Sequence, residues 1–403
     1  MTDTLPPLWL KPGEDRRLRA GHLWVFSNEV DTDRSPLKNF TAGQNVEIRD
    51  SGGRAIGCGY VNPHSLICAR LVSRDLEHPL SESLLVHRLN VALALRERLY
   101  PEPYYRLAFG ESDGLPGLVV DRYGDTCIAQ INTAGMEQVK PSIGAALRRV
   151  VKARHVLIRA DSSMRELEGL ERYVAWDGEP GPDTLELREN GARFLAPALS
   201  GQKTGWFYDH RANRARLQPL VKGLRVLDVF SYVGAWAVQA ALAGAREVHA
   251  VDSSATALDF ARRNAELNGV ADRLTFHEGD AFEVLRKLRE ARERFDVVIL
   301  DPPAFIKRRK DYRQGLKGYQ QINQLAMQLL ARDGLLVSAS CSSHLSEEDF
   351  IRTLLASARH LDRSAQIIEF GQQAPDHPVH PAIPETRYLK CAFVRVLPAS
   401  SNP

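Results

Sequence analysis

Cysteine is scarce in this sequence. Five residues in 403, Cys58, Cys68, Cys127, Cys341 and Cys391, include no Cys-x-x-Cys pair. An odd, unclustered set argues against a disulfide framework and a structural zinc site, and it fits a reducing, cytoplasmic location. No apolar run is long enough to cross a bilayer, so no membrane span is expected. Residues 1–10 carry neither a basic stretch nor an apolar core, and no signal peptide is expected. Excess charge of one sign is missing too: 53 Lys and Arg face 50 Asp and Glu, a net charge of +3. This mildly basic balance is compatible with a nucleic-acid partner without establishing one. Internal repeats and low-complexity tracts are absent.

What is present is a chain too long for one core, with strand and helix patterns that change twice along it. Residues 1–79 read as a domain of short strands (46–49, 55–61, 66–71) with glycine turns, a small β-barrel. Its lead-in sets Arg16, Arg17, Arg19 and His22 beside Trp24 and Phe26, a mixture suited to RNA backbone and base stacking. A solvated basic edge over two core aromatics accounts for the same composition. Residues 80–184 read as a small α+β domain: helix 84–99, a hairpin over 118–131, helix 136–151 and strand 155–159, closed by a Gly/Pro-rich linker at 176–183. Residues 185–403 alternate strands and helices, an α/β pattern of a Rossmann-like, doubly wound parallel sheet. In such sheets ligands sit at the carboxyl ends of the strands.

Those strand ends carry acids. Asp228 closes the first strand, and Phe230, Ser231 and Gly234 form the turn after it. One glycine there is not the three-glycine dinucleotide fingerprint, which disfavours a dehydrogenase. Asp252, 24 residues after Asp228, ends the second strand with Ser253 beside it, placed to accept from ribose hydroxyls. Asp280 and Ala281 follow the third strand, where a carboxylate can face an adenine amino group. Asp301-Pro302-Pro303 ends the fourth, the prolines keeping Asp301 at the sheet edge. Each acid alone is an N-cap or turn residue about as readily. The ordered series resembles class I S-adenosylmethionine-dependent methyltransferases, and Asp-Pro-Pro resembles their fourth motif.

Cys341 stands 40 residues beyond Asp301 at the end of the fifth strand, at the same sheet edge. Carbon 5 of a pyrimidine is a poor nucleophile until a thiolate adds to carbon 6. An acid near ring N3 stabilises such an adduct, and Asp301 is placed for that. An ordinary thiol is only slightly ionised at neutral pH, so the site must help. The helix beginning near Ser346 offers its dipole. A strand-end cysteine is otherwise a small buried residue, the reading kept for the other four.

Gly201-Gln202-Lys203-Thr204-Gly205-Trp206-Phe207-Tyr208-Asp209-His210-Arg211, Phe230-Ser231-Tyr232, Asp301-Pro302-Pro303 with Phe305, and Ser340-Cys341-Ser342 occur in that order. With Gly110–Asp113, Gly114-Leu115-Pro116-Gly117, Arg165, Gly21-His22-Leu23-Trp24 and Asp376-His377-Pro378, they resemble bacterial 23S ribosomal RNA (cytosine-carbon-5) methyltransferases with an amino-terminal PUA domain. The resemblance spans nearly the whole chain. It implies S-adenosyl-L-methionine as cofactor, Cys341 as nucleophile with Asp301 at the reacting base, and a cofactor site including Gln202, Lys203, Thr204, Phe207, Asp209 and Arg211. It also implies large-subunit ribosomal RNA, 23S or its precursor, as partner, met by the basic residues above and by Lys307 and Arg308; a homodimer stays open. Ala235 and Ala304 stand where relatives often carry glycine and lysine. Many RNA cytosine methyltransferases carry a second cysteine just after the Pro-Pro; here Ala304 and Phe305 follow, so the base that takes the carbon-5 proton is unassigned, a water near Asp301 being one candidate. Two rival readings remain: a guanine-N methyltransferase of ribosomal RNA, which needs no thiol, and a non-catalytic RNA-binding assembly factor.

Overall fold

The computed structural model describes residues 4–399. Residues 1–3 and 400–403, the outer ends of the expected first and third domains and part of the segment read for a signal peptide, lie outside the described residues. The chain forms two compact units. One holds the chain up to Leu185 with Pro197–Tyr208 and Pro375–Thr386; the other holds Glu186–Ala196, Asp209–Ala374 and the chain from Arg387 on.

The first unit contains two sheets. Strands Pro7–Trp9, Trp24–Phe26, Gln44–Arg49, Ala55–Val61 and Ile67–Ser73 make a five-stranded half-barrel in which only Pro7–Trp9 and Gln44–Arg49 run parallel. Its inward residues, among them Leu8, Val25, Val46, Ile48 and Leu71, are fully buried. The second sheet is mixed: the hairpin Leu118–Tyr123 and Thr126–Ile131 turns at Gly124 (φ +65°), and His155–Ala160 lies parallel to Thr126–Ile131. Helix Glu82–Leu99, capped by the Ser81 hydroxyl, packs with helix Lys140–Val151 against this sheet. The single helix expected over 136–151 is two, Ala134–Gln138 and Lys140–Val151, parted at Val139. Pro141 is the cause. It has no N–H to continue the first helix, but it suits the first turn of the second, where that N–H needs no partner. Segment Pro375–Thr386 is tied in by Asp376, whose carboxylate accepts from Arg106 N (2.9 Å) and whose carbonyl accepts from the fully buried Arg96 (2.8 Å).

The second unit is built on one seven-stranded sheet. Its strands in chain order are β1 (Arg225–Val229), β2 (Glu247–Asp252), β3 (Leu274–Glu278), β4 (Phe295–Leu300), β5 (Leu330–Ser340), β6 (Arg363–Gly371) and β7 (Lys390–Pro398). Helices α1 (Ala235–Leu242), α2 (Ala255–Leu267), α3 (Ala281–Glu290), α4 (Tyr312–Leu329) and α5 (Glu347–His360) connect the first six. The spatial order is 3-2-1-4-5-7-6. β1 to β5 are parallel; the Val, Ile and Leu of β1, β4 and the second half of β5 are buried on both faces, as a helix-covered parallel sheet requires, while β3 at the edge buries only Leu274. The sheet is not parallel throughout: β7 runs antiparallel between β5 and β6. An apolar run shows that a strand is buried but not which way it points. The sheet reverses strand order at β1/β4, so the carboxyl ends of β1, β2, β4 and β5 face one crevice. Among the described residues no helix is long and apolar enough to cross a membrane.

Candidate active site

Asp228 is fully buried in β1; its Oδ2 accepts from Ala237 N (3.1 Å), and its Oδ1 has no partner. Burial pushes its carboxyl well above the usual range, and the charges of Asp301 and Asp252 push the same way. The chain then turns sharply, with Phe230 at φ +65°, Tyr232 at φ +49° and Gly234 at φ +84°. Left-handed backbone at a non-glycine residue costs about 1 kcal/mol or more and persists only where neighbours fix it. Here Ser231 N donates to Val251 O (2.9 Å), Tyr232 N to Asp252 Oδ2 (2.8 Å) and Gly234 N to Ser231 O (2.9 Å). The Ser231 hydroxyl is buried and, like Asp228 Oδ1, unpartnered. Two orphaned polar atoms at one strand end, each costing about 1–3 kcal/mol unless satisfied, fit a polar ligand in this turn.

Asp252 gives its second oxygen to Ser254 N (2.9 Å) and stays partly exposed, so lone pairs remain for hydroxyl donors. Ser253 beside it is exposed. Asp280 is the exposed N-cap of α3, accepting from Glu283 N (3.1 Å) through one oxygen only; Ala281 behind it is buried.

Asp301 follows β4. Its Oδ2 accepts from Trp236 Nε1 (3.2 Å), and its Oδ1 stands 3.1 Å from His210 Nε2. Burial pushes the Asp301 carboxyl up, but the charge and hydrogen bonding of His210, with the Trp236 donor, outweigh it and hold the group below its usual range. His210 is buried; burial lowers it, Asp301 raises it, and the net shift is upward. Asn213 contacts its other ring nitrogen (3.1 Å).

Cys341 alone among the five cysteines is not buried. Burial pushes the thiols of Cys58, Cys68 and Cys127 up, to about 11, 12 and 12, and that of Cys391 further still. The Cys341 sulfur lies 4.0 Å from the Pro302 carbonyl. Its turn is tied to the loop of Asp301 by one tyrosine: the Tyr319 hydroxyl pairs with Ser342 Oγ (2.7 Å), accepts from Ser340 Oγ (2.9 Å) and lies 3.4 Å from Phe305 N. Ile306 N donates to Ser342 Oγ (3.2 Å). Carboxylate and thiol thus project from two loops held as one piece.

A domain family described as S-adenosylmethionine-dependent methyltransferase matches residues 136–391, and a PUA-like domain matches 8–74. The ribosomal RNA large subunit methyltransferase I of Erwinia tasmaniensis is 37% identical over 97% of this chain and 99% of its own length. That of Aeromonas salmonicida is 38% identical over 96% and 98%. The chain belongs to the ribosomal RNA large subunit methyltransferase I family. The solved structure of SMU.776 complexed with SAH superimposes with a TM-score of 0.83 at 20% identity, covering 97% of this chain and 100% of that one, a likeness of fold.

For this family member, an S-adenosylmethionine-dependent methyltransferase, the second unit brings together Asp228, Phe230, Ser231, Gly234, Asp252 and Asp301 at the ends of adjoining strands. Other expected residues lie elsewhere or are engaged. Gln202, Lys203, Thr204 and Phe207 belong to the first unit, where Gln202 and Lys203 are exposed and the Thr204 hydroxyl is buried on Asp121. Asp209 is buried against the Tyr388 hydroxyl (2.5 Å), and Arg211 is buried 3.6 Å from Glu189, which Arg214 also grips. Of the amino-terminal basic residues Arg16 is exposed, Arg17 pairs with Glu29 (2.6 Å), Arg19 bridges Asp15 and Asp50, and His22 accepts from Trp24 N. Lys307 and Arg308 are exposed, Arg308 pairing with Asp311 (2.9 Å). Sequence reasoning missed His210, Trp236, Tyr319 and Lys390 as site residues. His210 lay inside the block it had singled out; the other three carry no local signal.

Proposed function

We propose that the chain methylates carbon 5 of a cytosine in 23S ribosomal RNA through a covalent bond to Cys341, acting in the cytoplasm. The observation that carries this reading is the half-open Cys341 on a turn fastened by Tyr319 to the Asp301 loop. S-adenosylmethionine supplies a methyl group on a positive sulfur. Asp228, Phe230, Ser231 and Gly234 cradle it, Asp252 and Ser253 take its ribose, and Asp280 and Ala281 meet its adenine. Asp209 and Arg211, on the segment leading into β1, are anchored on Tyr388 and Glu189.

The Cys341 thiolate adds to carbon 6, and the displaced electron pair makes carbon 5 nucleophilic. Carbon 5 bonds to the methyl as the methyl–sulfur bond breaks. Loss of the carbon-5 proton returns the pair, breaks the sulfur–carbon-6 bond and frees the thiolate. Asp301 is held ionised, which suits a proton acceptor, acting through a water, better than a proton donor to ring N3. Arg16, Lys307 and Arg308 are the exposed cations offered to RNA phosphates. The test is nucleoside mass spectrometry of ribosomal RNA incubated with labelled S-adenosylmethionine. Label is expected in 5-methylcytosine with the wild type and none with Cys341→Ala. Label in a methylguanosine, or label that survives the substitution, overturns the mechanism.

A further inference from the structure

The reaction requires a thiolate, and an ordinary thiol, with a pKa of about 8.5, is mostly protonated at neutral pH. The helix that follows Cys341 does not meet this need locally. The first turn of α5 carries Glu347, Glu348 and Asp349, and its Ser346 cap spends its hydroxyl on Asp349 N. Three acids there offset the helix dipole that would favour a second anion.

A cation does stand at the turn that carries the thiol. Lys390 opens β7 directly opposite Ser340, the residue before Cys341. Its ammonium is half-buried and donates to the carbonyl of Ser342, the residue after Cys341, at 2.7 Å. The lysine therefore spans the turn that presents the thiol, and the two groups interact electrostatically. The charged groups around the lysine are Cys341, Arg387 just before β7 and Glu347 at the start of α5; Arg387 and Glu347 pair with each other at 2.6 Å. Tyr319 of α4 lies beside the same turn through its bonds to Ser340 and Ser342. Glu347 is thus engaged by Arg387, while the Lys390 ammonium donates to the Ser342 carbonyl. A half-buried ammonium whose hydrogen bond goes to a neutral carbonyl lacks a counter-charge.

We propose that Lys390 is a positioning residue that holds Cys341 as a thiolate, supplying the counter-charge for the sulfur while its hydrogen bond to Ser342 fixes the turn. Burial lowers the ammonium and the sulfur opposes it, leaving the group at about 8, so at neutral pH the lysine still carries its charge. The inference rests on the nucleophile reading above.

The experiment follows alkylation of Cys341 by iodoacetamide against pH, with the full-length protein and no RNA, and the modified peptide quantified by mass spectrometry. Cys341 reports selectively because the other cysteines are buried. In Lys390→Gln, which keeps a hydrogen-bond donor and loses the charge, the midpoint is expected to rise by about one pH unit, a roughly tenfold slower reaction at pH 7. Lys390→Arg is expected to keep the wild-type midpoint. A Lys390→Gln profile that superimposes on the wild type overturns the proposal. Should that variant not fold, the wild type decides: a midpoint clearly below about 8.5 supports the proposal, and one at or above it overturns it. If the midpoint ignores Lys390 while Cys341→Ala makes no 5-methylcytosine, the lysine role alone is lost. If Cys341→Ala methylates cytosine, the nucleophile is lost as well.

Discussion

Asp301 shows how single residues decide the chemistry of the strand ends. A carboxyl in a buried crevice tends toward the neutral acid, and the neighbouring Asp228 follows that tendency. Asp301 is kept from it by His210 and Trp236, which face its two oxygens. The two members of the pair titrate in opposite senses. Asp301 lies below its ordinary value, so its stabilisation is complete above the usual carboxylate range and is lost as pH falls through its own lower value. His210 lies above its ordinary value, so its share is complete below the usual imidazole range and is lost as pH rises through its own higher value. His210→Ala removes the stronger of the two opponents of burial. The acid limb of the kcat/KM profile is therefore expected to move to higher pH, with Trp236 alone left to hold the carboxylate. An acid limb that stays in place in this variant counts against His210 as the group that keeps Asp301 ionised. Asp301 and Cys341 were legible in the sequence because strand ends can be counted along the chain. His210 and Trp236 were not, since they come from the segment before β1 and from α1, and only folding sets them on one carboxylate.

At the scale of elements, the turn between β1 and α1 is the most constrained piece of the second unit. Three of its five residues have positive φ, and Gly234 also lies against α2. A Cβ at Gly234 would stand 3.1 Å from Ala261 Cβ, a tight approach added to the strain of its positive φ. Gly234→Ala is expected to destabilise the protein by about 1–2 kcal/mol. Because the same turn carries the orphaned Ser231 hydroxyl, the affinity for S-adenosylmethionine should fall with it. Thermal unfolding with and without the cofactor, together with calorimetric titration, measures both; unchanged affinity would separate the turn from the cofactor. The turn was readable in advance, since a lone glycine between a buried strand and a helix marks the point where the chain reverses and a ligand can approach the backbone. The rest of the sheet was readable in part. β1, β4 and the end of β5 announced themselves as apolar runs, and β2 and β3 by their place between helices. β6 did not: its residues alternate between partly and fully exposed, leaving Ile368 and Phe370 outward, so its pattern is that of an edge strand without a clear apolar run. The direction of β7 could not be read because burial is the same whichever way a strand points.

For the whole molecule, a net charge of +3 says little, because what matters is which cations are free. The sequence marked Arg16, Arg17, Arg19, His22, Lys307 and Arg308 as one class, and the fold divides them. Arg17 and Arg19 hold the half-barrel together through Glu29, Asp15 and Asp50, and Arg17 lies over the Phe26 ring at 4.9 Å. His22 is lowered by burial and by Arg17, so it adds little charge at neutral pH. Arg16 and Lys307 are exposed, and Arg308 shares only an exposed pair with Asp311, an interaction worth at most about 1 kcal/mol. Composition could not make this division, since it does not show which acid folds beside which base. The consequence is measurable in RNA affinity against salt concentration. Each cation that neutralises a phosphate releases counterions and steepens the slope of log K against log salt by about 0.7–0.9. Lys307→Ala with Arg308→Ala is expected to flatten the slope by roughly 1.5 while leaving cofactor affinity unchanged, and Arg16→Ala by somewhat less than about 1. Arg19→Ala should instead act mainly on the thermal stability of the half-barrel, because its guanidinium is committed to two carboxylates. A slope that responds to Arg19 as strongly as to Lys307 would mean that RNA breaks those internal pairs on binding, and that the half-barrel meets its partner in a conformation other than this one.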